Sequence, residues 1–260
     1  MTTSRSWDRA AALPVAADGR RRAEIVGLAP GLPTVAELFT FMRDAELRFS
    51  TMRMRVEERT FTAVGEHLVV IDVALRHPGL ARVTTTQPAL GAAGRYEVWA
   101  SDGETVRTYS AAHRLATTRP IRSRPRGLDD RDFPGSAKVY EPLTALPMET
   151  LPDTFVHPAG YCQNVLATGR TWISGTDIVG GREAIVVECD HPRTIELAAD
   201  RPDFHVQIAV DRAEGVILRL IETIGGDVTR HAEVVSFQPD AAIPASTFED
   251  PLPAGGATLY

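Results

Sequence analysis

Residues 97–115 read EVWASDGETVRTYSAAHRL, and this stretch predicts the fold. Ser101-Asp102-Gly103 lies between two arms rich in β-branched and aromatic residues, and Ala111-Ala112 precedes a third arm. An Asp-Gly pair supplies the positive φ that a tight hairpin needs. The stretch therefore predicts an antiparallel meander.

The same alternation of apolar and polar residues continues on both sides of this meander. Met52, Met54 and Val56 alternate with charged residues, and the run around Val69 and Ile71 is apolar on both faces. Further strands are predicted at about 80–86, 96–100, 105–109, 115–118, 171–173, 183–189, 194–197, 205–211, 216–223 and 231–237. Short turns with glycine separate many of them, which is typical of antiparallel neighbours.

A helix is predicted before the strands, from about residue 34 to 48. Thr34 and Glu37 have the spacing of a capping box, and an apolar stripe runs from Val35 through Leu38 to Met42. The segment 119–166 is rich in proline and predicts short helices and loops across one opening of the sheet.

These elements predict a mainly β, α+β fold. It is a strongly curved antiparallel half-barrel, covered by the N-terminal helix and the mid-chain insert at about 119–166. We expect a mobile tail at 1–33, a single domain at 34–253 and a C-terminal tail at 254–260. A sheet of this size must curl, and it leaves apolar volume between sheet and helix.

Composition sets the broad class of the protein. The 260 residues are 43% hydrophobic and 24% charged, as in globular proteins, and the net charge of −6 argues against nucleic acid and anionic membranes. Lys138 is the only lysine, which indicates codon bias. We see neither a signal-peptide core nor an apolar run as long as a membrane span, so the sequence as written predicts a cytoplasmic protein.

The motifs of common enzymes are absent from the sequence. It contains no HExxH, no Walker phosphate loop, no GxGxxG and no GxSxG. Asp153 and Glu188 are the possible general bases, and no partner is evident for either. We therefore predict a protein that is not an enzyme and needs no cofactor.

One alternative is a metal site. His157, Cys162, Cys189 and His191 offer four ligands of the kind that zinc takes. The same cysteines could form a disulfide in an exported protein or remain two separate buried thiols.

The arginines at 114, 119, 122, 124 and 126 are a second charged feature. Asp129, Asp130 and Asp132 follow directly, so local neutralisation explains this run better than phosphate binding.

Three segments carry a resemblance to a known family. They are TVAELFTFMRDAELRFSTMRMRVEE (34–58), VWASDGETVRTYSAAHRL (98–115) and VDRAEGVILRLIETIGGDVTRHAEVVSFQPDAAIPASTFEDP (210–251). They resemble the LolA-like superfamily of lipoprotein carriers, which includes the N-terminal domain of RseB (MucB)-type sigma-factor regulators. The recurring positions are Asp102-Gly103, Val106 and Tyr109, and then Asp211, Gly215 and Leu218.

The resemblance implies an apolar concave face that receives acyl chains or an apolar segment of another protein. It also implies a location outside the cytoplasm, in which case the start site of this sequence is misassigned. We expect a lipid or similar hydrophobic molecule as partner, or alternatively a regulatory protein. The residues predicted to line the ligand site are Phe39, Met42, Val69, Ile71, Trp99, Tyr109, Trp172, Val187 and Leu218.

Overall fold

Twelve strands form one sheet in the part of the chain that the computed structural model describes, residues 27–90, 96–121, 142–148, 150–193, 201–249 and 257–259. The strands are β1 (Thr51–Thr62), β2 (Gly65–Arg76), β3 (Leu80–Thr86), β4 (Tyr96–Asp102), β5 (Thr105–Ser110), β6 (Leu115–Pro120), β7 (Arg170–Val179), β8 (Arg182–Asp190), β9 (Phe204–Asp211), β10 (Ile217–Ile224), β11 (Asp227–Pro239) and β12 (Ala257–Leu259).

The order of the strands is β12-β6-β5-β4-β3-β2-β1-β11-β10-β9-β8-β7. β1 is central, with one meander (β2–β6) on one side and a second meander (β7–β11) on the other. All neighbours are antiparallel except β12, which pairs with β6 in parallel. The sheet is open, and the predicted class of a mainly β fold built on one large antiparallel sheet with accompanying helices is confirmed.

Four α-helices accompany the sheet among the described residues: α1 (Val35–Arg43), α2 (Leu151–Val156), α3 (Ala159–Asn164) and α4 (Ser246–Glu249). The capping box at the start of α1 is confirmed, since the Glu37 N–H bonds to the Thr34 hydroxyl and the Glu37 carboxylate accepts from the Thr34 N–H at 2.8 Å. The helix is shorter than predicted because the backbone tightens after Asp44 into a 3₁₀ turn, Ala45–Arg48.

The predicted boundaries are covered only in part. Helices α2 and α3 lie in the predicted insert, but residues 122–141 of that insert are outside the described residues. So are most of the predicted N-terminal and C-terminal tails and the predicted strand at 194–197.

Helix α1 packs on one face of the sheet, which we call the inner face. Leu38 and Met42 of α1 have no exposed surface and belong to the same buried cluster as Met52, Val56 and Leu75. The inner face is defined by the residues of β1 that point to α1, Met52, Met54 and Val56, and by their partners across the sheet. The core of the protein lies between α1 and this face.

The opposite, outer face of the first meander is covered by the C-terminal segment 240–249. Arg107 donates to the carbonyl of Phe248 at 3.1 Å, and Arg76 donates to the carbonyl of Ile243. Both Ile243 and Phe248 are buried. The first meander is therefore apolar on both faces because both faces are covered.

The Asp102-Gly103 turn fits its place because two turns approach closely there. The Asp102 carboxylate accepts from the N–H groups of Glu104 (2.9 Å) and Thr105 (2.7 Å), which fixes the turn. Gly79 and Gly103 both have positive φ, and a Cβ on Gly79 would lie 2.7 Å from the Cα of Gly103. A side chain at Gly79 would therefore push the two turns apart.

We expect Gly79→Ala to lower the free energy of unfolding by about 3–4 kcal/mol, from backbone strain and overpacking together. Gly65→Ala is the matched control, since Gly65 also has positive φ but a Cβ there would meet nothing within 4 Å. The control should lose about 1–2 kcal/mol. Urea denaturation measures both values, and equal losses would show that the close approach of the turns does not matter.

A candidate binding surface on the inner face

The end of the inner face beneath α1 is filled by the protein's own side chains. Met42 and Val187 have no exposed surface, and Leu218 is 1% exposed. Ile71 is also buried, and all four belong to the main core cluster. A ligand cannot touch Met42, Val187 or Leu218 while α1 stays in this position.

Other apolar side chains of the inner face are only partly buried. Val69 of β2 pairs with Glu58, and Trp99 of β4 pairs with Val83, so both lie on the inner face. Ile173 of β7 and Ile224 of β10 lie on the same face in the second meander. All four side chains pack against the core, and each keeps part of its own surface exposed to solvent.

We call Val69 and Trp99, the partly exposed apolar residues of the first meander, the first patch, and Ile173 and Ile224, those of the second meander, the second patch; the two members of each patch lie on different strands. Tyr161 of α3 also packs against the core and is partly exposed. Helix α3 contacts α1, and helix α2 contacts β10. The candidate surface therefore consists of the inner-face side chains of the two apolar patches and of Tyr161 from α3.

A group of charged residues lies between the two patches. Arg230 of β11 donates from Nε to Glu58 Oε1 at 2.7 Å, and its Nη1 lies 3.6 Å from Glu222 Oε1. Arg230 pairs with both Thr60 and Glu222 in the sheet, which places all three charged residues on the inner face. We call Glu58, Arg230 and Glu222 the ion triad.

Tyr161 is electrostatically coupled to the ion triad. Burial raises the pKa of the Tyr161 phenol well above its ordinary value, the charge of Glu222 raises it further, and Arg230 opposes the shift. The side chains of Glu58, Arg230 and Glu222 are 16%, 25% and 17% exposed. The triad is therefore mostly removed from water, although each of its side chains keeps some exposed surface.

The predicted ligand residues do not form one site. Val69 and Trp99 lie on the exposed part of the inner face, and Phe39 of α1 is partly buried against the core. Tyr109 pairs with Val98 on the outer face, where the two form a small second cluster with Ala116.

Trp172 also lies on the outer face. It pairs with Glu188, whereas its neighbour Ile173 pairs with Val187 on the inner face. The Trp172 ring lies 5.4 Å from the Arg170 guanidinium and 6.2 Å from the His205 ring. The structure therefore separates Tyr109 and Trp172 from the other predicted residues.

Tyr161, Ile173, Ile224 and the ion triad were not predicted from the sequence. One signal for the triad is present in the sequence, because Glu58 follows Met52, Met54 and Val56 at the same spacing of two residues. A charge at the next inner-face position marks the place where the helix-covered core ends.

Three residues of the predicted zinc alternative have side-chain partners of their own, and the backbone N–H of the fourth, His191, donates to the carbonyl of Phe204 at 2.8 Å. His157 Nδ1 is 2.9 Å from Asp153 Oδ1 and its Nε2 is 3.5 Å from Glu46 Oε2. The thiol of Cys162 lies 3.7 Å from the sulfur of Met42, and that of Cys189 lies 3.5 Å from the carbonyl of Leu166. Among the residues described, no group of three or more metal-binding side chains is found.

The two possible general bases also have partners that the sequence did not indicate. Asp153 contacts His157, and Glu188 accepts from His205 and from Gln207 on the outer face. Glu188 is therefore on the opposite side of the sheet from the candidate surface.

A shallow groove of about 490 Å³ lies outside this surface, between residues 28–32 and the strands β7 and β8. Arg212 donates to the carbonyls of Ala29 and Gly31 at 2.9 Å and 2.7 Å. The groove thus follows from the way the segment before α1 is tied to the turn after β9. In the part of the chain that is described, no helix has the length and apolar character needed to cross a membrane.

The comparisons with known proteins give a likeness in fold. The sequence matches no protein-family model and no curated protein. A conserved uncharacterized protein from Thermus thermophilus aligns with a TM-score of 0.47 and 13% identity, covering 86% of this chain and 98% of that chain. MucB aligns with a TM-score of 0.48 and 16% identity over 82% of this chain.

A LolA superfamily protein from Nitrosomonas europaea aligns with a TM-score of 0.34 and 11% identity, covering 84% of this chain and 98% of that chain. The chain spans 62% of the length of MucB. MucB and LolA superfamily proteins, which the sequence resembles, are thus among the solved structures to which this chain is similar.

The free thiols give a test of the packing under α1. Burial raises the pKa of Cys162 to about 12 and also raises that of Cys189. We therefore expect neither thiol of the folded protein to react with Ellman's reagent at about pH 8, while both react after unfolding in guanidinium chloride.

The same shift sets the direction of a pH dependence. Above about pH 9 the unfolded state loses thiol protons that the folded state keeps, so these thiols lower stability as pH rises toward about 12. Replacing both cysteines with alanine should remove this part of the decline, which denaturation at several pH values measures. Rapid labelling of Cys162 in the folded protein would contradict the packing described here.

Proposed function

We propose that this protein is a non-enzymatic binding or carrier protein for an amphiphilic molecule, a lipid or similar ligand with one apolar chain. The ligand lies on the inner face beyond α1, between the first and second patches. The observation that carries this proposal is the partly exposed apolar surface of Val69, Trp99, Ile173 and Ile224, which continues the buried core.

The predicted ligand residues take two roles in this proposal. Val69 and Trp99 contact the chain directly, and Phe39 lies on α1 next to the core. The other predicted inner-face residues do not contact the chain because they are buried in the core next to this surface: Met42, Ile71, Val187 and Leu218. Tyr109 and Trp172 lie on the outer face and have no part in binding.

The hydrophobic free energy available from this surface is sufficient to bind an acyl chain. Each buried methylene contributes about 0.8 kcal/mol, so six to eight methylenes contribute about 5–6 kcal/mol before the cost of association. Before that cost, the chain alone corresponds to a dissociation constant of about 0.04–0.2 mM, so we expect binding in the submillimolar to millimolar range.

Val69→Asn tests the proposal, because it removes apolar contact from the first patch. We expect the affinity for lauroyl lysophosphatidylcholine, measured by calorimetric titration below its micelle concentration, to fall about tenfold, which is about 1.4 kcal/mol. The matched control is Leu68→Asn. Leu68 is the neighbouring residue, is also partly buried, and lies on the outer face.

The control variant should bind the lysolipid like the wild type. Equal losses in both variants would show that the ligand does not lie on the inner face. If the wild-type protein binds neither lauroyl lysophosphatidylcholine nor lauric acid, and yields no lipid on extraction with organic solvent, the carrier proposal is wrong.

A second candidate is a regulatory protein partner, and the edge strand β7 favours it. In the described sheet β7 has one neighbour, β8, and it presents Trp172 and Ile178, which are 36% and 65% exposed. An edge with exposed apolar side chains is suited to adding a strand from another chain.

Ile178→Lys tests this second candidate. If a protein partner adds to β7, affinity purification with the wild type should recover a protein that the variant loses, and purified partner should bind the variant at least about tenfold more weakly. Val228→Lys on β11 is the control, since Val228 is also exposed. The same partner bound equally by all three proteins would exclude the β7 edge.

A further inference from the structure

We propose that the ion triad, Glu58, Arg230 and Glu222, recognises the head group of the ligand, and that this head group is zwitterionic: an anionic group with a primary amine nearby, as in a phosphoethanolamine lipid. This inference rests on the proposed function and specifies its ligand. Its basis is the position of the triad on the inner face, where Glu58 pairs with Val69 of the first patch and Ile224 of the second patch follows Glu222 by two residues.

The triad places three charges among apolar positions of the inner face. Charges that are mostly buried lose hydration, and a mutual ion pair often does not restore that loss in full. The inner-face positions on either side are apolar: Val56 precedes Glu58, and Leu220 precedes Glu222. A ligand that were apolar along its whole length would cover these charges and desolvate them further, which disfavours a pure hydrocarbon.

The arrangement of charges indicates which head group fits. Arg230 is flanked by Glu58 at 2.7 Å and Glu222 at 3.6 Å. A guanidinium has five N–H donors, so Arg230 can bind a phosphate oxygen while it remains paired with Glu58. The two carboxylates accept from a primary ammonium, which has three donors.

The same arrangement disfavours other amphiphiles. A fatty acid or a lysophosphatidylglycerol presents negative charge alone, and that charge lies close to two carboxylates. A choline head group carries a positive charge but no N–H donors. The expected order of affinity is therefore ethanolamine first, choline second and glycerol third, for the same acyl chain.

The test compares lauroyl lysophosphatidylethanolamine with lauroyl lysophosphatidylglycerol by calorimetric titration. The wild type should bind the ethanolamine lipid at least about tenfold more tightly. Free phosphoethanolamine, without a chain, is titrated as well. It should bind at least about a hundredfold more weakly than the lysolipid, because the patches hold the chain.

Glu222→Gln is the first variant, because it keeps the shape of the side chain and removes one charge. It should reduce the preference for ethanolamine over glycerol to about threefold or less, mainly by strengthening the binding of the glycerol lipid. Arg230→Gln is the second variant and should weaken both phosphate lipids. Thermal unfolding of each variant shows whether it folds, and Glu222→Gln keeps the inference testable if Arg230→Gln does not.

The matched control lies on the outer face of the same strands. Arg219 of β10 is 2.7 Å from Asp177 and 4.0 Å from Glu233, and its side chain is 17% exposed. Arg219→Gln should leave the preference for ethanolamine unchanged.

Two results would overturn the head-group inference and leave the proposed carrier function in place. In the first, the wild type binds both lysolipids equally; in the second, Glu222→Gln does not change the preference. Absence of binding by every amphiphile overturns the carrier function itself, and the head-group inference with it.

Discussion

The packing of α1 on the inner face of the sheet is the constraint on which the rest of the structure depends. Leu38 and Met42 are completely buried and belong to the same core cluster as Met52 and Val56 of β1. A helix of nine residues is about 14 Å long, whereas a strand of twelve residues extends about 40 Å. Helix α1 is therefore too short to cover the whole inner face: it covers one end, and other groups contact the side chains at the other end. The change from Val56 to Glu58 on β1 marks this limit, because inner-face positions under the helix are apolar and those beyond it include charges.

Much of the fold follows from patterns that act over a few residues. The alternation around Met52, the capping box at Thr34 and the Asp102-Gly103 turn each depend on local geometry, so they can be predicted from the sequence. The early end of α1 is different, because it depends on tertiary contacts: Arg48 turns back to donate to the carbonyl of Phe41 at 2.8 Å and contacts the turn before β10.

The candidate site is harder to predict because both faces of the first meander are covered. Val98 and Trp99 are neighbours that point to opposite faces, and each packs against other side chains, so hydrophobicity does not tell which face each one joins. Bulges at Arg55/Val56, Ile173/Gly175 and Ile217/Arg219 shift the register and change which residues share a face. The covering of both faces explains why the sequence pattern groups Tyr109 with Trp99, although the structure places them on opposite sides of the sheet. Only the pairing of the strands resolves the ambiguity.

The contacts that hold α1 also decide between two modes of ligand binding. In one mode α1 lifts and the ligand enters among Met42, Val187 and Leu218; in the other the ligand lies beside α1 on the exposed part of the inner face. Lifting α1 would separate Arg48 from the carbonyls of Phe41 and Glu214, and Glu46 from the N–H of Leu143 at 2.8 Å. Each broken hydrogen bond of a buried charged group costs about 1.5–3 kcal/mol, in addition to the loss of the apolar packing. A chain of six to eight methylenes contributes about 5–6 kcal/mol, which those losses would largely cancel. Binding beside α1 breaks none of these contacts, and it is the mode that the geometry favours.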